Sequence, residues 1–323
     1  MPTLADVIAA RQRLRGIALH TPLEPSRELT ETSGAAEVRL KREETQPTGA
    51  FKTRGAHNKV AIVAEGSPQA ALVTASSGNH GIAVATAAIR HGMRLTVLVG
   101  RSVSPAKLER LRALETSRIT VELTGNDSDD AEAEARRRDD GGHAIYIAPY
   151  NDADVIAGQA TVAVEILDDW PEVDTIIVPV GGGGLIAGIG LWAKAINPGL
   201  RLIGVQPSAS PPMYAHFETG STEPMPIGPT MADGVAGNIE RTSITWKLCR
   251  QLVDEMVLVE EDEIANGMRW ALSVPHILLE PSAVLGIAAL LAGRIGSVDD
   301  ARMAVVTTGR NVPADTLASI LPA

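Results

Sequence analysis

Cysteine is almost missing from this chain. With Cys249 alone among 323 residues, no internal disulfide can form and a cysteine-rich metal centre is excluded. Its neighbours, Trp246 to Leu252, read as an amphipathic helix in which Cys249 is a small buried hydrophobe. Aromatic residues are also scarce, at 3%, so any core must rest on Ala, Val, Ile and Leu. Positive charge is short: 29 Lys and Arg against 39 Asp and Glu leave a net charge of −10, with no basic stripe. That balance speaks against nucleic acid or an anionic membrane surface as a partner. No uncharged run is long enough to span a bilayer, and Asp6, Arg11 and Arg13 break up the N-terminus where a signal peptide would need an apolar core. A cytoplasmic protein is expected. His57, His91 and His143 show no metal-ligand spacing, so no metal site is expected either. Internal repeats and low-complexity segments are absent.

What is present fits a globular enzyme. Hydrophobic residues make up 45% and charged residues 21%, and the length exceeds one ordinary core, which favours two lobes. Leu4 to Leu14 has the spacing of an amphipathic helix, Thr21 to Pro25 reads as a turn, and Glu37 to Lys41 as a short strand. From Ala70 onward strands and helices alternate. Ala71–Thr74, Leu95–Val99, Ile119–Leu123 and Ala144–Ile147 read as strands; Gly81–Arg90, Pro105–Leu114 and Asp127–Arg138 read as the helices between them. The charge run Asp129–Asp140 carries Glu132/Arg136 and Glu134/Arg138 four apart, which marks a solvated helix face. The alternation resumes with helix Val155–Leu167, strand Thr175–Val178, helix Leu185–Ile196 and strand Leu202–Val205. Pro207 to Pro229 holds six prolines and reads as an irregular connection, before helical patterns at 246–253, 261–272 and 282–291 and a last strand at Ala304–Val306. Such a sequence predicts an α/β fold with mostly parallel sheets and helices on both faces.

Three loops carry chemistry. Pro47-Thr-Gly-Ala-Phe-Lys-Thr-Arg-Gly55 delivers Lys52, flanked by Phe51, to a helix start. Alone, such a lysine is an ordinary solvated residue; as a nucleophile it would need a depressed pKa, because only the neutral amine attacks a carbonyl. Ser76-Ser-Gly-Asn-His-Gly81 follows a strand and opens a helix. There its hydroxyls, amide and free N–H groups can hold a carboxylate or phenolate, although plain N-capping by Ser76 or Ser77 would explain it as well. A serine-hydrolase reading of Ser77 is weak, since the flanks are not Gly-x-Ser-x-Gly. Gly181, Gly182, Gly183 and Gly184 follow another strand, and a plain turn needs one or two glycines rather than four. Successive N–H groups at a helix N-terminus make an anion nest. A dinucleotide fingerprint fits poorly, because Gln206 stands where the acidic residue should follow the next strand, and no Gly-Lys-Ser/Thr marks a P-loop. A single phosphate fits better.

Taken in order, these residues resemble the fold-type II pyridoxal-phosphate enzymes, in the branch of threonine and serine dehydratases and serine racemases. The likeness covers nearly the whole chain. It implies a two-lobed, tryptophan synthase β-like fold, with residues 1–65 and 149–323 as a large cofactor-binding domain and 66–148 as a small inserted α/β domain. Thr48–Ala56 is similar to the family's Schiff-base segment, which gives Lys52 to pyridoxal 5'-phosphate with Phe51 beside it. Gly181 to Gly184 match the phosphate loop. Asn79 matches the residue at the cofactor's ring oxygen, and Ser76, Ser77, Gly78, Asn79 and His80 form the segment where the substrate carboxylate docks. Ser77 matches the acid/base opposite the lysine. Leu279-Glu-Pro-Ser282 and Met231–Val235 are also family-like, with Glu280 and Asp233 as candidates for support of the site.

Three departures matter. Thr308-Gly-Arg-Asn311 replaces the usual Ser-Gly-Gly-Asn, so Thr308 would offer a hydroxyl to the pyridine nitrogen, and a hydroxyl cannot hold that nitrogen protonated. That suits β-elimination better than chemistry needing a long-lived carbanion. Gln206 and Pro212 stand where relatives place the acidic ligands of a divalent cation. Asn126–Asp130 replaces a substrate-holding arginine of the racemases. The resemblance thus implies an ammonia-lyase acting on a β-hydroxy amino acid such as threonine or serine, with Lys52 and Ser77 catalytic. The alternatives are an amino-acid racemase using the same pair and a non-catalytic cofactor-binding or ligand-sensing protein. A homodimer is expected from the resemblance.

Overall fold

Most of the central strands are short runs of Val, Ile, Leu and Ala, the pattern of parallel strands buried on both faces. In the computed structural model, which describes residues 1–321, ten strands form: β1 Leu23–Pro25, β2 Glu37–Arg42, β3 Ala71–Ala75, β4 Arg94–Val99, β5 Ile119–Leu123, β6 Ile145–Tyr146, β7 Thr175–Pro179, β8 Arg201–Pro207, β9 Glu255–Val259 and β10 Arg302–Thr307. Six make one sheet, ordered β1-β2-β10-β7-β8-β9, and four make another, ordered β5-β4-β3-β6. Every pairing is parallel except β1 with β2.

Side chains that alternate along each strand of the large sheet feed two separate cores. Ile176 and Val178 of β7, with Ala304 and Val306 of β10, pack on Ile156, Ile166, Ile186 and Ile189 of the helices Ala153–Asp169 and Gly184–Ile196. Their neighbours Ile177, Met303 and Val305 face the other way, onto Leu285, Ile287 and Met268 of the helices Leu285–Leu291 and Glu261–Ser273. The small sheet is covered likewise. Leu72, Leu95, Val97 and Ile119 meet Val60, Val63 and Ile82 of helices Lys52–Gly66 and Asn79–His91. Val73 and Leu98 meet Ala131 and Ala135 of helix Ser128–Asp140.

Two expectations fail locally. The Thr21–Pro25 segment, read as a turn, contains the strand β1, which pairs antiparallel with β2 through Leu23 opposite Lys41. Its one proline, Pro25, breaks no ladder bond on this edge strand, because the N–H that reaches β2 is that of Ser26, which donates to the Val38 carbonyl at 2.8 Å. Within the proline-rich stretch read as irregular, Pro212–Thr219 is helical and ends at Gly220 with φ +78. Pro212 occupies the first turn, where a missing N–H costs nothing.

Among the described residues no helix is long and apolar enough to cross a membrane, and no group of three or more His, Cys, Asp or Glu side chains is placed to hold a metal ion.

Candidate active site

Parallel sheets leave their ligand-binding ground at the carboxyl ends of the strands, where backbone groups emerge from the ladder unpaired. Here the ends of β2, β3, β7 and β10 supply the Lys52 loop, the Ser76 loop, the glycine loop and Thr308. An antiparallel bridge of Ala50 with Gly309, and the Phe51 N–H donating to the Thr308 carbonyl at 3.0 Å, stitch the lysine loop to the end of β10.

Lys52 is the first residue of its helix, and its Nζ donates to the Pro149 carbonyl oxygen at 2.7 Å. The Phe51 ring centre lies 5.1 Å from the same nitrogen. Burial pushes the amine down to about 8, and the charge of Glu280 only partly offsets it.

The helix carrying Lys52 is anchored two residues on. Arg54, 1% exposed, donates from Nε and Nη2 to Glu43 at 2.8 and 2.7 Å, and from Nη1 and Nη2 to Glu165 at 2.6 and 2.8 Å. Fully buried Lys41 completes the cluster, donating to Glu165 and to the Thr21 carbonyl, both at 2.7 Å. Burial works against the Glu165 charge, yet the hydrogen bonds and charge of Arg54, with Lys41, hold its carboxyl below the ordinary value.

The glycine loop is packed from below. A methyl added at Gly182 would stand 2.4 Å from the Tyr150 ring, and Gly183, at φ +83, would set one 2.8 Å from Met213 and 2.9 Å from the Cys249 sulfur. The buried Cys249 thiol donates to the Gly183 carbonyl at 3.8 Å, and burial pushes its pKa up to about 12, so the thiol stays protonated. Among the described residues, none of the N–H groups of Gly181 to Gly184 finds an acceptor, and the helix from Gly184 starts there with no side-chain cap.

The Ser76 loop has the same character. The Gly78 N–H donates to the Ser76 hydroxyl at 3.2 Å, whereas Ser77 makes no hydrogen bond among the described residues. Capping does not account for these serines, because helix Asn79–His91 has Gly78 as its cap and no side-chain cap bond. His80 is buried. Its Nε2 donates to the Ile147 carbonyl at 2.9 Å, and burial, then the charge of Lys52, pushes its pKa down to about 3, so the ring is neutral. A cavity of about 370 Å³ opens beside this loop, lined by Ser76, Ser77, Ser102, Ser104, Lys107 and Asp127 among others.

Asn79 is held on both sides. Its amide donates to the two Glu280 oxygens at 2.8 and 3.1 Å, and its carbonyl accepts from Asn311 Nδ2 at 2.6 Å. Asn311 also donates from Nδ2 to the Thr48 carbonyl at 2.9 Å and from its backbone N–H to Glu280 at 3.2 Å. Burial raises the Glu280 pKa, against the opposing hydrogen bond from Asn79. Asp233, exposed, pairs with Lys107 of helix Pro105–Arg112. Thr308 is buried at the end of β10, and Arg310 is exposed. Gln206 is buried and accepts from the Tyr214 N–H at 2.8 Å.

Sequence reading overlooked Tyr150, Arg54, Asn311 and the Pro149 carbonyl. Asn311 closes a motif already noticed, and Arg54 lies inside one; Tyr150 has no local signal at all.

Comparison with known proteins agrees with this arrangement. The family described as pyridoxal-phosphate dependent enzyme matches residues 15–309. The chain is similar to the L-threonine ammonia-lyase of Thermotoga maritima, 37% identical over 321 residues that cover 99% of this chain and 78% of the relative. It is 35% identical to the catabolic L-threonine dehydratase of Escherichia coli, over 98% of this chain and 94% of the relative. Among solved structures, maize serine racemase superimposes with a TM-score of 0.91 at 30% identity, over 98% of this chain and 96% of the other. With a lysine amine kept part-neutral between two loops of unpaired N–H groups, and a family match across nine-tenths of its length, the chain belongs to the pyridoxal-phosphate dependent enzymes.

Proposed function

We infer that this protein is an ammonia-lyase that converts a small β-hydroxy amino acid, such as L-threonine or L-serine, to a 2-oxo acid and ammonia. The observation that carries the reading is the Lys52 amine: half-buried, bonded among the described residues only to a carbonyl oxygen, with its pKa lowered to about 8. Relatives named as L-threonine ammonia-lyase and L-threonine dehydratase support the choice of reaction.

The residues present fit pyridoxal phosphate. Four glycine N–H groups without acceptors, at a helix N-terminus, suit a phosphate dianion. Asn79 would face the ring oxygen, Thr308 the ring nitrogen, Phe51 the ring's surroundings, and Lys52 the aldehyde carbon. When bound, the cofactor supplies an electron sink that makes the hydrogen on the substrate's α-carbon removable. Lys52 Nζ, neutral in a substantial fraction near pH 8, takes that proton. The free N–H groups of Ser77 and Asn79, with the Ser76 and Ser77 hydroxyls, bind the substrate carboxylate at the start of their helix. His80 supports that loop from beneath rather than touching substrate. The β-hydroxyl then leaves, the α-hydrogen and the hydroxyl together departing as one water, and a water hydrolyses the released enamine to the 2-oxo acid and ammonia.

A division into lobes at residues 66 and 148, an amino-acid substrate, a homodimer and a cytoplasmic location belong to the same reading. The sheet membership of β3 to β6 supports the first, and sedimentation equilibrium tests the dimer. Racemisation is the second reading, favoured by one observation: among the described residues the Ser77 hydroxyl makes no hydrogen bond. Incubation of purified protein, pyridoxal phosphate and L-threonine or L-serine separates the two. Accumulation of 2-oxo acid, abolished in Lys52→Ala, supports elimination. Appearance of the other enantiomer without 2-oxo acid would replace the reading with racemisation, and no absorbance change on adding pyridoxal phosphate would sink both.

A further inference from the structure

Residues 149–151 follow β6 and run between the lysine and the glycine loop. Pro149 accepts from Lys52 Nζ, and the Tyr150 ring lies directly against Gly182, with its backbone against Gly184. Both neighbouring side chains are then gripped by one residue, Glu240. Asn151 Nδ2 donates to Glu240 Oε2 at 2.8 Å, and the Glu240 backbone N–H donates to the Tyr150 hydroxyl at 3.2 Å. Glu240 lies in a stretch without regular structure, so its own bonds must fix it. The Trp246 indole donates to its carbonyl at 2.6 Å. From the small-sheet side, Arg136 of helix Ser128–Asp140 pairs with the Glu240 carboxylate and with Glu132 at 2.7 Å, while its guanidinium sits 5.0 Å from the Tyr146 ring centre.

We propose that Glu240 is a positioning residue for the glycine loop. It holds Tyr150 and Asn151 as the floor on which Gly182 and Gly184 rest, and Arg136 makes that floor depend on the small-sheet helix. The inference rests on the reading that this loop binds the cofactor's phosphate. A tyrosine ring turns about two bonds. Without the carboxylate's ties to Asn151 and Arg136, the Glu240 backbone N–H that donates to the Tyr150 hydroxyl would shift and let the ring and the loop settle differently. Hydrogen bonds from N–H to a charged phosphate weaken steeply once their angles degrade. Contacts that only orient a binding group are known elsewhere to control affinity strongly.

The test titrates pyridoxal 5'-phosphate and unphosphorylated pyridoxal into the wild-type protein, Glu240→Ala, Glu240→Gln and Arg136→Met, following binding by absorbance. Wild type should prefer the phosphorylated ligand. Glu240→Ala should lower that preference about tenfold while the affinity for pyridoxal moves less than about twofold. Glu240→Gln, which still accepts from Asn151, should recover most of the preference, and Arg136→Met should lose part of it. A preference unchanged in Glu240→Ala, or both ligands lost equally, overturns the inference. If Glu240→Ala does not fold, Arg136→Met decides, because that side chain is 37% exposed and its removal opens no core; an unchanged preference there overturns the proposal. A wild type that binds both ligands alike refutes the phosphate reading itself, and the inference falls with it.

Discussion

Lys52 Nζ donates to the Pro149 carbonyl oxygen at 2.7 Å, and no carboxylate hydrogen-bonds to it among the described residues. A carbonyl stabilises the ammonium far less than an ion pair would, so burial prevails and the pKa falls to about 8. In cofactor-free protein, site-resolved reductive methylation of Lys52 should therefore rise through a midpoint near pH 8, well below that of exposed lysines. The sign for stability follows. The unfolded chain holds this proton up to the ordinary lysine value while the folded chain releases it earlier, so stability rises with pH between the two values and the full penalty stands below about 8. Lys52→Met should remove that rise in denaturant melts. A midpoint at the ordinary lysine pKa would contradict the account.

Arg54 carries the opposite burden. Its guanidinium neutralises Glu43 and Glu165, so Arg54→Ala strands the fully buried Glu43 carboxylate and leaves Glu165 with Lys41 alone. Breaking such a pair costs about 3–5 kcal/mol, and urea denaturation should show a loss of that size. Replacing the whole cluster with apolar residues should cost much less, because the desolvation of the charges disappears along with their attraction. A loss below about 1 kcal/mol for Arg54→Ala would mean the carboxylates find water or protons instead.

These contrasts explain what the chain disclosed before folding. Lys52, the Ser76 loop and the four glycines are legible because each motif is local: a strand ends, small residues let backbone N–H groups point outward, and a helix begins. The alternation of strand and helix from Ala71 onward is legible for the same reason. Asn79 with Glu280, or Tyr150 with Gly182, are relations between distant segments that no period or spacing encodes. Glu165 did leave a trace. It is the single charge within the apolar run Val162–Leu167, and such a charge requires a partner when buried. Lys41, set among Arg39, Arg42, Glu43 and Glu44, left none. The strand at Leu23 and the helix at Pro212 were hidden by prolines whose positions, an edge strand and a first turn, are the ones where proline does no harm.

Glu280 makes a third expectation. Burial raises its pKa in the folded chain although Asn79 donates to both its oxygens. A folded carboxyl that keeps its proton longer than the unfolded one contributes stability below the ordinary value and loses it as pH rises toward the folded value. Glu280→Gln should flatten that part of the stability–pH curve while still accepting one bond from Asn79. Glu280→Ala should instead free the Asn79 amide and slow turnover. Identical pH curves for wild type and Glu280→Gln would show that the carboxyl titrates as if exposed.

The fit of Tyr150 beneath the glycine loop can be measured without any ligand. A methyl at Gly182 would lie 2.4 Å from ring carbons of Tyr150, far inside contact distance, so the ring or the loop must move. Overpacking of that kind costs about 1–3 kcal/mol, and Gly182→Ala should show it in chemical denaturation. Tyr150→Leu removes the obstructing ring at some cost of its own. If the two residues meet as described, the added methyl fills part of the space that the ring vacated, and the double variant should lose less than the sum of the single losses. Coupling between touching residues is about 0.5–3 kcal/mol. Additive losses would mean that the two residues do not meet as described, and that the Tyr150 ring does not support the loop.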